Sequence, residues 1–307
     1  MSTDPSDPGS DAWSEWLLHD RHGGDPTSER TIRAAVDGFV DRLLDAAHLS
    51  AHITLADVGT GDGVVAFRAI DRIGPSLRVV LSDISAPLLR HAKALAMQRG
   101  VVDQCEFVHC PADDLKSIGT AAVDVVTTRA VLAYVADKCA ALREFHRVLK
   151  PGGWISIAEP ILQDEAFKVI ALKRRLDALG PEEQDGSLSL LHRWRAAQFP
   201  DTIEELAASP IANYSERDLV HFASECGFVE IHLELHVDIR PSDGVSWETF
   251  LKSSPHPWAP TAAAILAEKF NAEEQQCLEK LLRPAVEAGQ PDSISLIAYL
   301  NARKPAA

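Results

Sequence analysis

The run Asp57-Val58-Gly59-Thr60-Gly61-Asp62-Gly63 combines three glycines with two acids. Glycines allow a tight turn and a close approach of backbone to ligand, and a helix that follows such a turn offers unpaired N–H groups. A dinucleotide loop of the form GxGxxG needs a third glycine where this chain has Val64, so the match to a pyrophosphate site is imperfect. Asp57 would sit badly beside pyrophosphate and well beside the ammonium of an amino-acid cofactor. Asp83 stands twenty residues after Gly63, where a carboxylate can accept both hydroxyls of a ribose. Together these residues point to a nucleoside cofactor.

The elements that must position them alternate in type. ITLADV, residues 53–58, is a buried-strand run that ends in the glycine loop, and residues 64–73 read as the helix after it. LRVVLSD (77–83) is a second strand followed by a helix over 86–99 that Gly100 closes. CEFVHC is the third strand and VDVVTTR (123–129) the fourth. A helix over 137–149 stops at the turn Lys150-Pro151-Gly152-Gly153, and WISIAEP (154–160) is the fifth strand. Such alternation is the signature of a parallel sheet with crossover helices. Beyond Pro160 it breaks: 161–213 reads as a helical insertion. Ser215-Glu216-Arg217-Asp218 caps a further helix, 229–241 alternates as a half-exposed strand, and a second helical insertion at 247–289 precedes a last strand over 293–302.

The segments LADVGTGDGVVAF, VVLSDIS, FVHCPADDL, VDVVTTRAVLAYV and FHRVLKPGGWISIAEP resemble, in order, the successive motifs of class I S-adenosylmethionine-dependent methyltransferases. The resemblance covers residues 53–160 and implies S-adenosyl-L-methionine as cofactor. It implies an α/β, Rossmann-like, seven-stranded and mostly parallel sheet, here with helical insertions after strand 5 and between strands 6 and 7. It places Asp57, Gly59 and Gly61 against the methionine part of the cofactor, Asp83 on the ribose, Ile84 beside the adenine, and Ala112 and Asp113 on the adenine edge. Pro111 stands where the family often has Asp, and Arg129 occupies a position that often lines the methionine end. In size and general plan the chain also resembles bacterial methionine S-methyltransferases.

The expected organisation is therefore a tail and lid over 1–28, a cofactor-binding core over 29–160, an acceptor cap over 161–213, and completion of the sheet over 214–307. The family usually joins its last two strands by a close hairpin, whereas here some fifty residues intervene. Those helices and the first insertion would rise over the strand ends and build the acceptor pocket. Tyr134, Arg193, Trp194, Glu204, Tyr214 and His256 are its candidate lining residues, with Trp258 beside them. For a methionine acceptor, an Arg such as Arg193 or Arg195, Glu204 and the face of Trp194 would hold the amino acid and shelter a sulfonium. Methyl transfer is an in-line displacement that alignment and water exclusion can drive, so no catalytic acid or base is assigned. For an oxygen acceptor, His256 is the first base to consider.

A net charge of −15 disfavours polyanion binding, and Thr128-Arg129-Ala130-Val131 replaces the Asn/Asp-Pro-Pro-aromatic segment of nucleic-acid enzymes. The expected partner is a small molecule, with S-methylation of methionine or a related thioether first and O- or N-methylation of a natural product second. A nicotinamide oxidoreductase is the remote alternative, and an inactive cofactor-binding subunit another. No run is long enough to span a membrane and no secretory leader is evident, so a cytoplasmic protein is expected, with a homodimer as candidate assembly. Five scattered cysteines fit reduced thiols, and the histidines show no metal-ligand spacing.

Overall fold

The computed structural model describes residues 10–179 and 186–306. The first nine residues of the expected tail, and 180–185 within the expected cap, lie outside the described residues.

A short helix α1 (Ala12–Glu15) runs into a π-helical turn at Trp16–Asp20, and α2 (Pro26–Asp45) follows. The core then alternates β1 (Thr54–Val58), α3 (Val64–Ile73), β2 (Arg78–Asp83), α4 (Ala86–Gln98), β3 (Cys105–His109), β4 (Val123–Arg129), α5 (Lys138–Val148) and β5 (Leu149–Pro160). Three helices come next: α6 (Gln163–Asp177), α7 (Gly186–Ala196) and α8 (Ile203–Ala208). Then come α9 (Glu216–Glu225), β6 (Val229–Arg240), α10 (Trp247–Lys252), α11 (Ala262–Lys269), α12 (Ala272–Ala288) and β7 (Ser293–Arg303).

The seven strands form one sheet in the order β3-β2-β1-β4-β5-β7-β6. Strands β1 to β5 pair in parallel, while β7 runs antiparallel to both β5 and β6. Because the crossovers turn in opposite directions from β1, a crevice opens at the carboxyl ends of β1 and β4. The inner stretches of β1 and β2 are apolar because helices cover both faces: Phe145 of α5 and Leu132 of the turn before it lie on one side, and Val40 and Leu43 of α2 and Phe67 of α3 on the other. β6 closes the sheet as a largely exposed edge. No helix among the described residues is long and apolar enough to cross a membrane.

The fifth strand starts earlier than the sequence suggests. Leu149 already pairs with Val123, and the register then jumps to Trp154 opposite Val125, so 150–153 bulge from a strand that has begun rather than precede it. The bulge is fixed from outside: Gly152 N–H donates to the carbonyls of Lys304 and Pro305, and Lys150 Nζ pairs with Asp124 at 2.8 Å.

The insertions carry cores of their own. Val169, Ile170, Phe199, Leu206 and Ile211 form one, and Trp194, Trp247, Ile265, Leu266, Phe270 and Leu278 the other. Trp194 on α7 thus ties the first insertion to the second.

Candidate functional site

Three strands bring a polar side chain to the crevice at their carboxyl ends: β1 its penultimate Asp57, β2 its last residue Asp83 and β4 its last residue Arg129. Asp57 is 1% exposed, and accepts from Thr60 Oγ1 at 2.6 Å and Thr127 Oγ1 at 3.0 Å. Burial among neutral hydroxyls pushes its carboxyl up to about 6. Asp83 accepts the Gly61 N–H and the Ser85 N–H, both at 2.8 Å, and burial raises it too. The acid of the second strand therefore clamps the glycine loop of the first. Gly59 has φ +66°, and a Cβ there would stand 2.3 Å from Val131 Cγ2, so this loop admits no larger residue without moving the chain after β4. That chain is held by Glu159, fully buried at the end of β5, which accepts the N–H groups of Val131, Leu132 and Ala133 at 2.9, 3.0 and 3.2 Å.

Asp57, Gly59, Gly61, Asp83, Ile84, Ala112, Asp113 and Arg129, all expected at the cofactor, line one cavity of about 250 Å³ together with Tyr134. Ile84, just past the end of β2, is 53% exposed at the rim of this cavity. The roof comes from the N-terminal segment, which contributes Trp13, Trp16, Leu17 and Arg21. It is fastened at both ends: Ser85 Oγ donates to Asp11 at 3.0 Å, and Trp16 Nε1 donates to the Ser254 carbonyl at 3.1 Å. Trp13 meets Tyr134 edge-on at 5.1 Å, and Trp258 completes the aromatic trio at 5.3 Å from Tyr134.

A second cavity of about 520 Å³ adjoins the first and shares Trp16, Arg21, Arg129, Ala130 and Tyr134 with it. Its own walls include Asp164, Glu165 and Lys168 of α6, then Arg195, Phe199, His256 and Leu296. His256 is 4% exposed; its Nε2 lies 3.0 Å from the Gln198 carbonyl, and its Nδ1 is enclosed without a partner. Burial lowers its pKa and keeps the ring neutral.

Of the expected acceptor residues, then, Tyr134 and His256 reach these cavities, while Arg193, Trp194, Glu204 and Tyr214 line neither. Arg193 pairs with Glu274 at 2.5 Å and lies over the Phe270 ring. Trp194 is core, and Glu204 is exposed on α8. Tyr214 is fully buried; its hydroxyl donates to the Pro160 carbonyl at 2.8 Å, and Lys138 Nζ sits 4.6 Å over its ring. An amphipathic helix shows in sequence that it has faces, not which face meets which neighbour. Sequence reasoning gave no role to Trp13 or Glu159, and named Arg21 only as part of the expected lid. Only Glu159, an acid closing the apolar run WISIA, carried a local signal.

The residues present fit a nucleoside that carries an amino acid. Asp83 offers a buried carboxylate that would suit a ribose, Asp57 a second that would suit an ammonium, Arg129 a guanidinium with an unpartnered buried Nε that would suit a carboxylate, and Ile84 an apolar rim that would suit a base. Fold and site thus define a doubly wound α/β protein built to hold an aminoacyl nucleoside at its switch point.

Comparisons agree. Residues 49–194 match the model of a methyltransferase domain family. The nocamycin O-methyltransferase of Saccharothrix syringae is 32% identical over 204 residues, covering 65% of this chain and 67% of that protein. The tRNA 5-carboxymethoxyuridine methyltransferase of Escherichia coli K12 is 36% identical over 105 residues, a match to 34% of this chain that spans only 39% of that relative's length. Among solved structures, the YcgJ protein from Bacillus subtilis superposes with a TM-score of 0.53 at 18% identity, covering 88% of this chain and 99% of that one, and so shares the fold. The chain belongs to the class I S-adenosylmethionine-dependent methyltransferases.

Proposed function

We propose that this chain methylates an oxygen atom of a small-molecule acceptor held in the second cavity. The observation that carries the reading is the shared neck: five residues line both cavities, so an acceptor in the larger one lies one layer of side chains from the methionine end of the smaller one. S-adenosylmethionine, when bound, supplies an electrophilic methyl group on a sulfonium. The chain's own residues align and enclose. Asp57 meets the ammonium, Asp83 the ribose and Arg129 the carboxylate, while Trp13, Trp16 and Leu17 shut out water from above. His256, its Nδ1 enclosed and its ring packed on Phe199, serves as a wall rather than a base.

Oxygen is favoured over a thioether on two grounds. Of three relatives matched over about two thirds of their length, one is named nocamycin O-methyltransferase and two are named ubiquinone/menaquinone biosynthesis C-methyltransferases, none for a thioether. Of the side chains that would have held methionine, Arg195 lines the second cavity but is paired with Glu165, while Arg193, Trp194 and Glu204 line neither cavity. A small molecule is favoured over RNA because the net charge is −15 and the match to the tRNA enzyme is confined to 105 residues.

Calorimetric titration with S-adenosylhomocysteine and NAD, then mass spectrometry after incubation with labelled cofactor and an acceptor library that includes methionine, tests this. Binding of the nucleoside thioether alone, and label on oxygen, is expected. Binding of NAD alone, or label appearing in S-methylmethionine, overturns it.

A further inference from the structure

Two guanidinium groups meet at the neck between the cavities, and neither forms an ion pair among the described residues. Arg21 and Arg129 line both cavities. Arg129 Nε is buried without a partner, and Arg21 lies 5.5 Å over the Trp16 ring. Burial and the charge of Arg129 push Arg21 down to about 10, against a weaker pull from Asp62, which itself pairs with Arg33 at 3.1 Å. The other cations of the second cavity are already matched, since Lys168 and Arg195 both hold Glu165. Holding two like charges together out of water is unfavourable unless an anion joins them, and a guanidinium's fork fits a carboxylate.

The cofactor brings one carboxylate. Arg129, whose charge acts on Asp57 at the end of the neighbouring strand, stands at that amino-acid end. Arg21, on the roof beside Trp16, is left for the acceptor. The remaining polar side chain shared by the two cavities is Tyr134, whose hydroxyl is held protonated by burial and by Glu159. The neck thus offers donors and positive charge and, among its described side chains, no proton acceptor. A hydroxyl acceptor must shed a proton there; a carboxylate, ionised above a pKa of about 4, has none to shed.

We infer that the acceptor is a carboxylic acid, oriented at the neck by Arg21 and converted to its methyl ester. This rests on the oxygen-methylation reading above. A carboxylate oxygen's lone pair forms the bond to the methyl carbon while the bond from that carbon to sulfur breaks and its electron pair stays on sulfur. The anion and the sulfonium are neutralised together, and no proton moves. Arg21 acts on substrate affinity and specificity, and its charge has no remaining partner once the ester forms, which favours release.

The test uses the full chain saturated with S-adenosylhomocysteine and the matched probes 2-naphthoate with 2-naphthamide and phenylacetate with phenylacetamide, titrated by calorimetry. At least one acid is expected to bind tenfold or more tightly than its amide. Arg21→Gln is expected to erase that preference while leaving the affinity for S-adenosylhomocysteine within threefold, and Arg21→Lys to restore part of it. With tritiated cofactor, transferred label is expected to leave as volatile methanol after alkali. Absence of any acid preference, through equal binding or none, overturns the inference, as does alkali-stable label. A tenfold loss of S-adenosylhomocysteine affinity in Arg21→Gln also overturns it by moving Arg21 to the cofactor. Failure of the wild-type chain to bind S-adenosylhomocysteine is a different result, which removes the methyltransferase reading beneath it.

Discussion

The two cavities are built by different kinds of contact. Around the first, the key side chains are close in sequence or on adjacent strands: Thr60 to Asp57, Gly61 to Asp83, Ser85 to Asp83. Around the second, they are drawn from distant segments: Trp16 reaches Ser254 across 238 positions, and His256 reaches the Gln198 carbonyl across 58. The difference teaches that the donor side of this reaction is encoded locally and the acceptor side by tertiary packing. If so, damage to one side should spare the other.

Glu159 is the residue best placed to break that separation, because it holds the chain that carries both Val131 against the glycine loop and Tyr134 at the neck. Glu159→Ala strands three buried N–H groups and is expected to lower stability by about 3 kcal/mol in urea unfolding, with both affinities impaired in whatever remains folded. A stability loss under about 1 kcal/mol would show that water replaces the carboxylate.

Asp83→Ala sharpens the comparison from the donor side. It is expected to weaken S-adenosylhomocysteine binding by about 2 kcal/mol or more, near thirtyfold, in a chain that still folds by circular dichroism. Unchanged affinity in a folded variant would remove Asp83 from the cofactor site. His256→Ala does the same from the acceptor side, since His256 lines the second cavity and not the first. Loss of its edge contact with Phe199 is worth about 1 kcal/mol, so the acceptor KM should rise roughly fivefold while cofactor affinity stays within twofold. A loss shared equally by both ligands would refute the separation.

The smallest effect is a proton. Asp57 is raised from 3.8 to about 6, so the free protein holds a proton there as pH falls below 6. A bound ammonium favours the ionised carboxylate, so binding must expel that proton. Cofactor affinity is then expected to rise with pH up to about 6 and to level off above it. Calorimetry at pH near 5.5 in buffers of different ionisation heat should register net proton release, and a buffer-independent heat would mean that Asp57 faces no charge.

Legibility followed the same division. Asp57, Gly59, Gly61 and Asp83 could be read because a strand, a turn and a helix bring them together with little help from elsewhere, and the structure does bring them to one cavity. Arg193, Trp194 and Glu204 were misplaced because their helices have faces that only packing selects: α7 turns Trp194 toward Trp247 and Phe270 rather than toward a ligand, while Tyr214, in the connection between α8 and α9, is drawn into the core to donate to the Pro160 carbonyl. Arg21 and Trp13 carried no periodic or motif signal, since what makes them matter is the roof they join. The bulge at 150–153 escaped because Pro and Gly mark a turn equally well before a strand or within one.

The long connection between β6 and β7 leaves and re-enters the sheet at a single point. Arg240 is the cross-strand partner of Ser293, Ser242 N–H donates to the Gln290 carbonyl at 2.8 Å, and Val245 N–H donates to the Val286 carbonyl at 3.0 Å. The two ends of some fifty residues are thus stitched together like the neck of a purse. Closing a loop grows harder only slowly with its length, about 0.6 kcal/mol for each doubling. Whatever hangs from that stitch can therefore lengthen, shrink or be exchanged for another set of helices while the strands keep their register, which makes 241–292 a natural graft site for giving this scaffold a new acceptor.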